Sequence, residues 1–373
     1  MIFNMLKVLF LIHDLGQGGA EKVLLNLVRN MNPLKFDITI MSLFGGGINE
    51  KFLPDDIHYK VVFPRMLPGN SKLMKLLNPK RLHKIFIKDE YDIEVSYLEG
   101  PSARVVSGCT NSNTKLVSWI HVEQHTIKNL AKPFRNEDEA NVCYNQFDKT
   151  VCVSDYVRND FCKILDFEKP CITLYNTVES EAILTASKET VDDMNDDAEI
   201  RLVAVGTLKP SKGYDRLLRI VKRLNDEKYS IHLYVLGTGP LQQELEKYIT
   251  ENGLERTISL LGYQTNPYKY VAKCDLLVCA SHAEGFSTAV TEALIVGTAI
   301  CTVDVSGMKE MLGENNEYGV VTLNDEEALY KGIKKLLDDR ECLKDYKNRA
   351  LERGKIFKTH NTVKAVEDML LEL

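Results

Sequence analysis

Short runs of β-branched and apolar residues recur along the chain, and between them lie stretches whose apolar positions fall three or four apart. The first pattern suits strands covered on both faces, and the second suits amphipathic helices. Strands are expected at 7–12, 37–43, 57–62, 93–97, 116–121, 150–153 and 171–174. In the second half they are expected at 201–205, 231–236, 258–261, 275–279 and 300–303, with helices at 20–30, 214–225, 241–252 and 287–296 among others. Such alternation builds α/β, doubly wound, Rossmann-like units around parallel sheets.

The rhythm breaks once. Residues 179–199 hold eight acids against Lys188 alone and show no strand pattern. They read as a connection between an N-terminal unit over 1–178 and a C-terminal unit over 200–355. A last helix within 356–373 is expected to pack back on the first unit. A length of 373 residues accommodates two domains of about 150–200 residues. Ligands of doubly wound folds sit beyond the carboxyl ends of the strands, so a two-domain version is expected to place its site in the cleft between them.

Charge and cysteine usage narrow the class. A net charge of −6 argues against a nucleic-acid binder. Nine cysteines without a Cys-x-x-Cys pair suit a reducing, cytoplasmic compartment better than a disulfide framework. No metal-ligand spacing is visible. The run Val8–Ile12 is too short for a secretory core and lacks a small-residue cleavage site. It reads as a buried first strand. Between Lys60 and Lys88 there are eight Lys/Arg and no acid, interleaved with Leu73, Met74, Leu76, Leu77, Leu82, Ile85 and Phe86. Two readings stand open: a peripheral surface for anionic lipid at the inner face of a membrane, or a solvated helix packing an apolar stripe on the core.

Three strand–loop–helix junctions carry candidate chemistry. At Gly16-Gln17-Gly18-Gly19 the backbone can approach a ligand closely, and the helix that follows offers N–H groups to an anion. Glu21 stands where a dinucleotide fingerprint needs a small residue. At Gly206-Thr207-Leu208-Lys209-Pro210-Ser211-Lys212-Gly213, Ser211 is expected to cap the next helix, with Lys212 supplying a point charge for phosphate. The third junction runs from Ala280 to Leu294. There Glu284 precedes the helix, the main-chain N–H groups of Phe286, Ser287 and Thr288 lie at its N-terminus, and Glu292 follows two turns later, able to accept from a ribose diol.

The Glu284-x7-Glu292 pair resembles the signature of the retaining GT-B glycosyltransferases of family 4, the group 1 type. The resemblance extends over nearly the whole chain, through Gly18-Gly19-Ala20-Glu21-Lys22, Ser118-Trp119-Ile120-His121, Val153-Ser154, Tyr175-Asn176, Gly206 to Gly213, Gly237-Thr238-Gly239-Pro240-Leu241 and Leu261-Gly262-Tyr263. It implies two Rossmann-like domains facing each other across a deep cleft and a nucleotide-sugar donor, with UDP the expected nucleotide. It implies that Glu284 contacts the transferred sugar with Gly285 beside it, and that Glu292 binds the ribose. Phe286, Ser287 and Thr288 would hold sugar and diphosphate through main-chain amides, and Lys212 would bind the diphosphate. Gly18 and Gly19 would close on donor or acceptor, His121 would lie beside the donor sugar, and Gly262 and Tyr263 would hold the base. Glu284, His121 and Lys212 are the expected catalytic set. The family places an arginine where this chain has Thr207, so a bidentate contact is missing, and Lys209 is a candidate replacement.

No Asp-x-Asp motif occurs, so no cofactor and no metal is expected, and the leaving diphosphate would be met by Lys212 and the helix dipole. The acceptor is expected to be a glycan or a lipid-linked glycan, in bacterial surface polysaccharide or glycolipid synthesis. The resemblance also implies retention by same-face attack. Rival readings are a UDP-sugar epimerase of the same architecture, a pyridoxal phosphate-dependent phosphorylase, and a non-catalytic sugar-nucleotide binder.

Overall fold

The structure, a computed structural model, describes residues 5–16, 18–65, 74–165, 169–194, 198–282, 286–305 and 307–373. The chain forms two compact units. One comprises residues 1–178 with 359–373, and the other residues 179–358.

The first unit is a seven-stranded sheet. Its strands are β1 (Leu6–Ile12), β2 (Phe36–Phe44), β3 (His58–Phe63), β4 (Ile93–Ser96), β5 (Lys115–Ile120), β6 (Lys149–Cys152) and β7 (Cys171–Thr173), in the order β3-β2-β1-β4-β5-β6-β7. Every neighbouring pair is parallel. Val8 to Ile12 of β1 are wholly inaccessible, because a central strand with helices on both faces has no wet side. Helix Gly19–Asn30 buries Val23, Leu24, Leu27 and Val28. The C-terminal helix Thr359–Leu371 belongs to this unit. The Thr359 hydroxyl donates to the Val178 carbonyl at 2.8 Å, and Glu367 accepts from the Asn32 N–H at 2.6 Å.

The second unit is a six-stranded parallel sheet of β8 (Ile200–Val205), β9 (Ile231–Leu236), β10 (Ile258–Gly262), β11 (Leu276–Cys279), β12 (Ala299–Val303) and β13 (Val320–Thr322). Its order is β10-β9-β8-β11-β12-β13. Its core joins Leu202, Leu217, Leu218, Val221, Leu233, Val235, Leu276 and Leu329. In both sheets the chain winds outward in one direction and then returns to the other side of its first strand. Strand order therefore reverses between β1 and β4 and between β8 and β11. Above such reversals the loops part, and ligands bind at the carboxyl ends of the strands.

One local expectation needs correction, and one strand is not anticipated by the sequence pattern. Residues 179–199 are not all connection, since Ser180–Ala186 is a helix grouped with the second unit. The short edge strand β13 has no long apolar run to announce it. Among the described residues no helix is long and apolar enough to cross a membrane.

Candidate functional site

In the second unit the loops leaving β8, β9, β10 and β11 are tied together at one end of the sheet. The Gly206 N–H donates to the Leu236 carbonyl at 2.9 Å, the Gly237 N–H to that of Gly262 at 2.8 Å, and the Leu208 N–H to that of Thr238 at 3.0 Å. A Cβ on Gly237 would stand 2.0 Å from the Gly206 carbonyl oxygen, so only glycine lets these two loops touch. Lys212 reaches back over Gly206, its Cε 3.8 Å from where a Gly206 Cβ would lie. Thr207 and Lys209 are exposed at the loop's outer face. Gly262 has φ 68°, and Tyr263 beyond it is 74% exposed.

Ser211 does not cap the following helix. It lies in the 3-10 turn Pro210–Lys212, and helix Tyr214–Asp226 opens instead from Gly213, which has φ 64° and provides no side-chain cap. The Ser211 carbonyl accepts from the His282 N–H at 2.8 Å, joining this turn to the segment leaving β11. Glu284 and Gly285 lie outside the described residues.

Helix Thr288–Val296 begins at Ser287, whose hydroxyl accepts from the Val290 N–H at 3.4 Å. The Phe286 ring packs edge-on against Phe357 at 5.9 Å between centroids, so its side chain serves the core while its main chain stands at the helix entrance. Glu292 is 8% exposed and accepts from the Tyr268 hydroxyl at 3.4 Å. It therefore stands one turn inside the helix as a nearly buried carboxylate, an acceptor-only group. Beyond β8 and β11 the unit thus gathers a lysine, a helix N-terminus and a carboxylate.

In the first unit the ends of β1, β4 and β5 bring together His13, Asp14, the glycine turn, Tyr97, Glu99 and His121. Asp14 accepts from the Gly16 N–H at 2.7 Å and contacts His13 Nδ1 at 2.6 Å. Gly18 is the N-cap of helix Gly19–Asn30 and has no side chain to offer. The Glu21 carboxylate folds back over Gly18, where a Cβ would meet its Oε2 at 2.0 Å. Burial raises the Glu21 pKa, with its own main-chain hydrogen bond opposing.

His121 is 8% exposed, its ring 5.0 Å from that of Tyr97. Its Nε2 is buried without a hydrogen-bond partner. Burial pulls its pKa down to about 3, opposed only by a hydrogen bond to the Tyr97 main chain. The ring is therefore neutral at any ordinary pH. The His121 N–H donates to Glu99 Oε2 at 3.0 Å, and burial raises the Glu99 pKa.

The sequence reading missed Glu99, Tyr268, Arg216 and Asn324, each of which holds a site residue or the loop beside one. Only Glu99, two positions past Tyr97 at the end of β4, lies close in sequence to a strand end that could have signalled it.

Residues 17–182 match the family model described as Glycosyltransferase Family 4, and residues 189–353 match that of Glycosyl transferases group 1. The chain belongs to the family 4, group 1 glycosyltransferases. A Campylobacter jejuni N-acetylgalactosamine-N,N'-diacetylbacillosaminyl-diphospho-undecaprenol 4-alpha-N-acetylgalactosaminyltransferase is 29% identical over 380 residues, spanning 98% of this chain and 99% of that one. A second Campylobacter jejuni transferase, a GalNAc-alpha-(1->4)-GalNAc-alpha-(1->3)-diNAcBac-PP-undecaprenol alpha-1,4-N-acetyl-D-galactosaminyltransferase, is 24% identical over 361 residues, with 95% of each covered. The glycosyltransferase of Rickettsia africae superimposes with a TM-score of 0.80 at 17% identity, over 99% of both chains. Anabaena HepE, in complex with UDP and glucose, does so with a TM-score of 0.78 at 18% identity, over 99% of this chain and all of that one. These likenesses establish the GT-B fold of the transferase.

Two clusters among the transferase's described residues carry metal-ligand chemistry, His83/Glu94/Cys109 and Glu123/His125/Asp160. In the first, His83 Nε2 already holds both Glu94 oxygens at 2.8 and 3.1 Å, a buried ion pair with a thiol beside it. In the second, Asp160 accepts the N–H groups of Gln124 and His125. Both clusters already engage in hydrogen bonds of their own, and both lie in the first unit.

Proposed function

We propose that this glycosyltransferase moves a sugar with retention of configuration, from a UDP-sugar to a lipid-linked glycan, without a divalent metal. What supports the donor half is the placement of Lys212 after β8 and of the Ser287 helix entrance and Glu292 after β11, the two strands between which strand order reverses in the second unit. A diphosphate needs positive potential and N–H donors, and a ribose needs an acceptor for its diol. Glu284 takes the transferred sugar in this reading, and Gly262 and Tyr263 take the base. UDP is the nucleotide in the HepE complex.

The acceptor half rests on the Campylobacter relatives, whose names describe transfer to undecaprenol-diphosphate-linked glycans. In this reading the neutral ring of His121, at the carboxyl end of β5, is the group the family resemblance sets beside the sugar. The leaving diphosphate takes the acceptor's proton on the same face, its charge met by Lys212 and the helix end. A lipid-linked acceptor calls for a surface near the membrane. Leu76 and Ile85 are exposed, at 72% and 48%, among Lys75, Lys80, Arg81 and Lys84, the composition of an interfacial patch for anionic lipid.

The test is transfer from UDP-GalNAc, UDP-GlcNAc, UDP-glucose and UDP-galactose to a polyprenyl-diphosphate-linked saccharide, with and without EDTA, and with the product anomer read by NMR. Activity lost in EDTA and restored by manganese refutes the metal-free mechanism, and an inverted anomer refutes retention. Sedimentation with phosphatidylglycerol vesicles tests the patch, and no binding at low salt removes it.

A further inference from the structure

Arg216 lies in the first turn of helix Tyr214–Asp226 and is 3% exposed. Its Nε donates to the Ala280 carbonyl at 2.8 Å, and its Nη2 donates to the Ser281 carbonyl and to Asn324 Oδ1, both at 2.9 Å. Asn324 in turn donates from Nδ2 to the His282 carbonyl at 3.3 Å. Three successive carbonyls of the segment leaving β11 are thus held by one arginine–asparagine pair.

The other side of this segment is fixed as well. The His282 N–H donates to Ser211, and a Cβ on Gly213 would stand 2.0 Å from the Ala280 oxygen. The phosphate loop and the strand exit are therefore pressed together around the guanidinium. Its acceptors are two main-chain carbonyls and an amide oxygen, with no carboxylate among its hydrogen-bond partners in the described residues. Burying a charge against neutral acceptors is unfavourable compared with packing an apolar side chain there. What the guanidinium alone supplies is a rigid planar fork that fixes several acceptors at once, which an ammonium cannot imitate.

We infer that Arg216, with Asn324, is a positioning residue for donor binding: it clamps the backbone at Ala280–His282 to the Lys212 loop and so sets the spacing between the two walls of the diphosphate site. The inference rests on the donor-site reading above. Neither residue touches the donor in this account.

The test uses the full-length chain and UDP as the probe, with dissociation constants from calorimetry and thermal melts recorded on the same samples. Arg216→Gln is expected to weaken UDP binding about tenfold, ~1.4 kcal/mol. Arg216→Lys is expected to fall close to it, because the charge is kept and the fork is lost. Asn324→Ala removes only the outer half of the clamp and is expected to melt with the wild type while binding UDP about threefold more weakly, ~0.6 kcal/mol. It decides the matter even if the arginine variants fail to fold. Lower melting temperatures with unchanged UDP affinity would overturn the inference, as would full rescue by lysine. Lys212→Ala separates the two readings. If it weakens UDP while the clamp variants do not, only the clamp fails; if it too leaves UDP binding untouched, the donor site itself is wrong.

Discussion

His121 makes the transferase sensitive to acid in a calculable way. The unfolded chain's imidazole titrates near the ordinary value of about 6.5, whereas burial holds the native one down to about 3. Below pH 6.5 the unfolded chain takes up a proton that the native state refuses, so stability is full above that pH and falls as pH drops towards 3. The slope is about 1.4 kcal/mol per pH unit, which gives roughly 2 kcal/mol lost between pH 7.5 and 5 and a ceiling near 5 kcal/mol. His121→Asn removes the titration. Trp119, the sole tryptophan, lies in β5 two residues before His121 and is 3% exposed, so its fluorescence follows unfolding of this sheet. Urea melts at pH 7.5 and 5 should show the wild type losing about 2 kcal/mol more than the variant. A wild-type-to-variant difference that does not change with pH, or an imidazole seen by NMR to titrate near 6.5, refutes the reasoning.

Other consequences are as direct. Gly213→Ala meets a φ of 64° and an oxygen 2.0 Å away, and should destabilise the second unit by about 3 kcal/mol in thermal or urea melts. Burial lowers the His83 pKa, but hydrogen bonds to Cys109 and Glu94 outweigh it and raise the value to about 9. Its contribution is therefore complete below pH 6.5 and lost as pH climbs through 9, so the stability deficit of His83→Gln should be largest at pH 6, at most about 3 kcal/mol, and shrink by pH 9.5. Lys209→Ala should raise the UDP dissociation constant about threefold and Thr207→Arg should lower it by a similar factor, both effects fading in high salt because the two positions are exposed. Calorimetry that finds Lys209→Ala indistinguishable from wild type leaves the diphosphate to Lys212 and the helix end.

What could be read from the chain and what could not divide along a physical line. Strands such as β1 and β9 were legible because a parallel strand covered on both faces is apolar at every position, and that signal is local. The helix start after the phosphate loop was misread because Ser211 has the right chemistry for a cap, while the decisive quantity, a left-handed Gly213, is imposed by the approach of Ala280 from another strand. His121 was legible as a polar residue ending an apolar strand. Its buried, unpartnered Nε2 was not, since Tyr97, which packs on the His121 ring from just past the end of β4, is distant in sequence.

Arg216 was silent for the same reason. In sequence it is one more charge on an amphipathic helix, and Asn324 lies 108 residues away. Charge patterning predicts solvent for both. The fold instead draws a guanidinium under the Lys212 loop and answers it with two main-chain carbonyls and the Asn324 side-chain oxygen, with the charges of Asp215, Asp325 and Glu326 acting on it. What Arg216 contributes is geometry, three oxygens from two distant segments fixed by one planar fork, and only the three-dimensional arrangement brings those segments together.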